Sequence, residues 1–161
     1  MICVAIKEKD PNKIKSLLSR LQMAEIRFDL AGLSKETVIE VFSNSSIPMV
    51  ATCRPEFMSD AQRMELLKTA ISSGAKYVDI EIEGESAFTA EMVDFALANN
   101  CKVIISYHNF ELTPSDTELQ RIIDTCFNLG ADIAILATMV SSKEDNIRLF
   151  QLYRNQKPVV A

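Results

Sequence analysis

Residues 106–114 read SYHNFELTP and carry His108, the only histidine in the 161-residue chain. It follows the apolar run Val103, Ile104, Ile105 and precedes a helix start at Ser115. An imidazole titrates near neutrality and can both take and return a proton. Taken alone, His108 reads better as a satisfied structural histidine, and only its neighbours in the pattern favour a general acid/base. Glu25, Arg27 and Asp29 alternate with Ala24, Ile26, Phe28 and Leu30, and Asp79, Glu81 and Glu83 alternate with Val78, Ile80 and Ile82. Thr52 and Arg54 share one face of a third run, as Ser106 and His108 share one face of theirs. A converging set of Glu25, Arg27, Asp29, Arg54, Asp79, Glu81 and His108 is suited to proton transfer on a small polar, anionic or hydroxylated molecule. The carboxylates alternate with arginines, which favours ion pairs over a divalent cation site, so no metal is predicted.

Seven β-rich runs must position these groups: ICVAI from residue 2, AEIRFDL from 24, PMVATC from 48, YVDIEI from 77, KVIISYH from 102, DIAILATMV from 132 and PVVA from 158. Their starts lie 22 to 30 residues apart, and the gaps carry helical periodicity, as in Leu66, Leu67, Ala70 and Ile71. Helix starts are marked by Asp10 before Pro11 and by two capping-box patterns, Ser59 with Gln62 and Ser115 with Glu118. Strands alternating with single helices at this period predict a parallel sheet, because parallel neighbours need a crossover. In a doubly wound sheet both strand faces meet helices and read as continuous apolar runs. The alternating charges here predict a (β/α)8 barrel instead, with the charged face inside and the site at the C-terminal strand ends. Seven strands are counted where closure needs eight.

With 48% hydrophobic and 24% charged residues, the chain is long and apolar enough for one globular domain over residues 1–161. A net charge of −5 without a basic block gives no footprint for nucleic acid. No window approaches the ~18 apolar residues of a membrane span, so no membrane partner and a cytoplasmic location are expected. Cys3, Cys53, Cys101 and Cys126 lack C-x-x-C spacing and read as small buried hydrophobes.

The runs EIRFDL (25–30), TCR (52–54), VDIE (78–81), SYHNFELTP (106–114) and LGADI (129–133) stand in the order and at intervals resembling the type I 3-dehydroquinate dehydratases of the shikimate pathway. The resemblance spans nearly all of the chain. It implies a (β/α)8 lyase that converts 3-dehydroquinate to 3-dehydroshikimate with no cofactor, using a lysine imine as electron sink and a histidine as general acid and base. On that resemblance His108 is the acid/base, Glu25, Arg27 and Arg54 bind substrate, and Asp79 and Glu81 support them.

Three departures accompany the resemblance. The position of the imine lysine, 27 residues after His108, is Ile135. No nearby lysine replaces it: Lys102 and Lys157 precede their strands, at the opposite barrel end, and Lys143 lies well into the next connection. The Glu-Gly-Gly segment that follows the third-strand arginine in the family reads RPEFMSD here, so Met58 stands where a histidine-orienting glutamate would be, with Glu56 nearby. The chain ends at Ala161, within a seventh strand, so the last βα unit and its substrate contacts are expected to be lacking. Unpaired first and seventh strands then predict a homodimer or other self-association. The resulting expectation is an enzyme by lineage with impaired imine chemistry, and the alternative is a non-catalytic barrel that binds a metabolite or a partner.

Overall fold

The computed structural model describes residues 2–56, 58–152 and 158–161. Strands and helices alternate in the order β1 (Val4–Ile6), α1 (Pro11–Leu18), β2 (Ala24–Arg27), α2 (Phe28–Ala31), α3 (Lys35–Ser43), β3 (Met49–Thr52) and α4 (Asp60–Ser72). They continue as β4 (Tyr77–Glu81), α5 (Ser86–Ala98), β5 (Lys102–Asn109), α6 (Asp116–Asn128), β6 (Ile133–Thr138), α7 (Lys143–Leu152) and β7 (Val159–Val160). All seven strands are parallel and lie in sequence order in one sheet. One cavity is lined by side chains from every strand or the segment entering it, so the sheet curls around it as an open barrel. Among the described residues β1 and β7 are not paired with each other.

The caps explain where the helices begin. Asp10 accepts from the Asn12 amide ahead of Pro11, and Ser59 and Gln62 form both halves of a capping box. Ser115 likewise accepts from the Glu118 amide, but the Glu118 carboxylate pairs with Arg121 instead of reaching back. At the other end of α6, Gly130 adopts φ +101°, and a Cβ there would lie 2.9 Å from Cγ1 of Val93 on α5. Glycine is therefore required both by backbone conformation and by the closeness of α5 to the α6–β6 turn.

The outward strand face is the apolar one. Ile26, Ala51, Val78, Ile80, Val103 and Ile105 are buried under the helices, whose inner faces carry residues such as Ile14, Val38, Leu67, Met92 and Leu119. Their burial accounts for the helix–sheet layer, at roughly 25 cal/mol for each Å² of apolar surface removed from water.

Three expectations need correction. β2 ends at Arg27, and Asp29 lies on the short helix α2, because its carboxylate turns back to clamp Arg27. β4 ends at Glu81, so Glu83 is in the following turn. Cys53, Cys101 and Cys126 are buried, but Cys3 is exposed just ahead of edge strand β1, where no neighbouring strand covers it. Lys157 lies outside the described residues.

Candidate active site

In a parallel sheet, residues in register point to the same face, so the inner wall is built in layers. Glu25, Val50 and Tyr77 form the lowest layer. Arg27, Thr52, Asp79, Ile104 and Ile133 form the next. Glu81, Ser106, Ile135 and Val160 form the third, and His108 lies above them beside Ala137. The cavity inside measures about 530 Å³, and Glu25, Arg54, Asp79, His108 and Ile135 all line it. That volume suits a small metabolite. Its β2–β4 side and the end of β5 are polar, whereas Ile104, Ile133, Ile135 and Val160 make the opposite wall apolar.

At the mouth, Nη2 of Arg54 lies 2.6 Å from Nε2 of His108. A guanidinium only donates, so Nε2 accepts, and the imidazole is the neutral tautomer carrying its proton on Nδ1. Among the described residues Nδ1 is buried without a hydrogen-bond partner, and the ring stacks against Phe110 with centroids 6.2 Å apart. Burial, followed by the charges of Arg54 and Arg27, pulls the imidazole down to about 4 from its ordinary 6.5. Neither Glu56, which is exposed, nor Met58, whose sulfur meets the Cys53 thiol, hydrogen-bonds to the ring.

Two arginines of the site are held by carboxylates. Arg27 grips Asp29 with Nε and Nη2 at 3.0 and 2.6 Å, and the Asp29 side chain is fully buried by that fork. Arg54 Nε lies 3.6 Å from Oε1 of Glu81. Burial raises the Glu81 carboxyl above its usual range, against the opposing charges of Arg54 and Arg63. Among the described residues Asp79 has no ion pair, and burial with the charge of Glu25 pushes it up to about 7, although the Ser106 hydroxyl and Arg54 act in the other direction. Among the described residues, no group of three histidine, cysteine, aspartate or glutamate side chains could hold a metal ion.

The structure thus brings Glu25, Arg54, Asp79 and His108 to one cavity, with Arg27 in the second layer and Glu81 beside Arg54. Ile135 lines the same cavity in register with Ser106, and among the described residues no lysine lines it. Lys102 begins β5 at the far end of the sheet, and Lys143 opens α7. Sequence reasoning missed Arg63, whose guanidinium reaches Glu81, and Tyr77, which lines the floor. Arg63 shares the inner helix stripe of Leu67, Ala70 and Ile71, and an arginine on an apolar stripe was the available signal. For Tyr77 the alternation with Val78 was the signal.

An open parallel barrel with a half-buried histidine and ion-paired arginines at its C-terminal mouth defines a (β/α)-barrel class of enzyme fold. The chain belongs to the type I 3-dehydroquinase family, whose family model matches residues 2–161. It is 35% identical over 162 residues to the 3-dehydroquinate dehydratase of Methanococcus maripaludis strain C5, covering 94% of this chain and 73% of the relative. The 3-dehydroquinate dehydratase of Methanocaldococcus jannaschii is also 35% identical, over 94% of this chain and 72% of that protein. Among solved structures, the type I 3-dehydroquinate dehydratase of Clostridium difficile superposes with a TM-score of 0.86 at 25% identity, over 98% of this chain and 72% of that one.

Proposed function

We propose that the cavity binds 3-dehydroquinate, the compound named in the relatives' own descriptions, and that His108 is the acid/base of a dehydratase whose imine step this chain cannot perform. Glu25, Arg27 and Arg54 are assigned to the substrate's hydroxyl and carbonyl groups, and Asp79 and Glu81 to support of the arginines and the imidazole. The observation that carries the reading is Ile135, placed in register with Ser106 on the cavity wall where the family resemblance puts the reactive amine. Without an iminium sink the proton beside a ketone is far less acidic, and a placed general base alone is worth roughly 10²–10⁴-fold. The chain is therefore a binder of the dehydratase substrate with little or no dehydratase turnover.

The Arg54–His108 bond supports this. In the free protein the imidazole lone pair is occupied by Arg54, and a ligand oxyanion or hydroxyl that draws the guanidinium away leaves Nε2 available as a base. Self-association belongs to the same reading, because Ile2 and Val160 beside the two sheet edges are 78% and 47% exposed. Calorimetric titration with 3-dehydroquinate tests the binding: saturable binding lost in Arg54→Ala is expected, and no heat in the unmodified chain contradicts it.

A further inference from the structure

Arg63 is 3% exposed although it belongs to helix α4, on the outside of the sheet. Taking a guanidinium out of water is costly unless its donors are used. Here they are used on the underside of the site. Nε donates to the carbonyl of Cys53 at 2.8 Å, Nη1 to Asp60 at 2.6 Å, and Nη2 faces Oε2 of Glu81 at 3.9 Å. The guanidinium carbon also lies 4.5 Å from the centre of the Phe88 ring.

Two of these contacts converge on Arg54. The Cys53 carbonyl belongs to the peptide group that carries the Arg54 nitrogen, just past the end of β3, where no strand ladder holds the chain. Glu81 is shared: Oε1 faces Arg54 and Oε2 faces Arg63. We propose that Arg63 is a positioning residue for the Arg54–His108 pair, fixing the peptide from which Arg54 projects and balancing the far side of Glu81 so that the Arg54 guanidinium stays on the imidazole. Without Arg63, the peptide is released and Glu81 has only Arg54 to neutralise it, which draws Arg54 off His108. The inference rests on reading Arg54 and His108 as the working pair of the cavity, but it can be tested without substrate or turnover. It can therefore fail while the dehydroquinate reading stands, and the reverse.

The imidazole lines one cavity with Glu25 of β2, Arg54 after β3 and Asp79 of β4, and it feels the charges of Arg54 and Arg27; Glu81 of β4 faces Arg54, Glu83 beyond it meets the His108 backbone, and β6 presents no charge. Because His108 is the only histidine, its ring ¹⁵N and ¹H resonances are a single unambiguous probe of this balance. In Arg63→Met the histidine midpoint should rise from about 4 by ~1 pH unit or more, and the Nδ1–H tautomer should give way to a mixture. Arg63→Lys keeps a buried charge near Glu81 but has no Nε donor for the Cys53 carbonyl, so it should shift the midpoint in the same direction. It decides the matter if Arg63→Met does not fold. A folded variant with a lower unfolding midpoint but the parent's histidine titration and tautomer would show a merely structural arginine and overturn the proposal.

Discussion

The guanidinium of Arg54 lies 2.6 Å from Nε2 of His108, joining two residues 54 positions apart across the mouth of the curled sheet. The bond fixes the tautomer of the imidazole and, with burial, keeps it neutral well below the usual histidine range. It follows that Arg54→Met should move the His108 midpoint upward from about 4 toward 6.5, since a positive neighbour is lost and Glu81 remains. A titration of the one histidine by NMR checks this, and an unchanged midpoint contradicts the assignment of Arg54.

Asp79 makes the opposite contribution to pH-dependent stability. Its carboxyl is raised from 3.8 to about 7 in the folded chain, so its favourable contribution is complete below pH 3.8 and is lost as pH rises through 7. His108, lowered from 6.5 to about 4, contributes stability that is present above pH 6.5 and lost as pH falls through 4. The two effects offset each other in the parent between pH 4 and 6.5. Asp79→Asn removes one of them, and its stability relative to the parent should grow between pH 5 and pH 8 by on the order of 2 kcal/mol. Urea unfolding at both pH values measures the difference, and a pH-independent difference contradicts it.

Gly130 gives a test of the fold alone. Its φ is +101°, and an added methyl group would meet Val93 at only 2.9 Å, so Gly130→Ala should destabilise the chain by about 1–3 kcal/mol and leave the His108 titration unaltered. Denaturant midpoints for the two proteins decide it.

Among the described residues β1 and β7 each leave one strand edge unpaired, which implies concentration-dependent association. Sedimentation velocity should show species larger than the monomer at tens of micromolar, reduced in Val4→Lys, because a lysine on an edge strand opposes pairing. A single monomeric boundary at every concentration contradicts this.

The alternation of charge and apolar residue in YVDIEI makes the inner face readable from the sequence, because period 2 assigns every second side chain to one side of a strand. The same rule misplaces Asp29, since nothing in EIRFDL shows the chain leaving the strand after Arg27 to form α2. There the tertiary clamp between Arg27 and Asp29 outweighs local pattern. Helix starts are legible because capping is local, while the partner of the Glu118 carboxylate is not, since Arg121 competes for it. The role of Arg63 depends on contacts with Cys53 and Glu81 that only the assembled sheet creates, and no short window of sequence contains them.

The central claim is that Ile135 leaves this site able to hold 3-dehydroquinate but unable to form an imine with it. Intact-mass measurement after incubation with 3-dehydroquinate and borohydride tests that claim most directly. The expected result is the unmodified mass for the chain as it stands, and a reduced substrate adduct in Ile135→Lys, where the new amine lies in the cavity among Ile133, Ile104 and Val160, whose apolar surroundings lower its pKa toward reactivity. A covalent adduct on the unmodified chain would mean that another lysine serves the site, and would contradict the assignment of position 135.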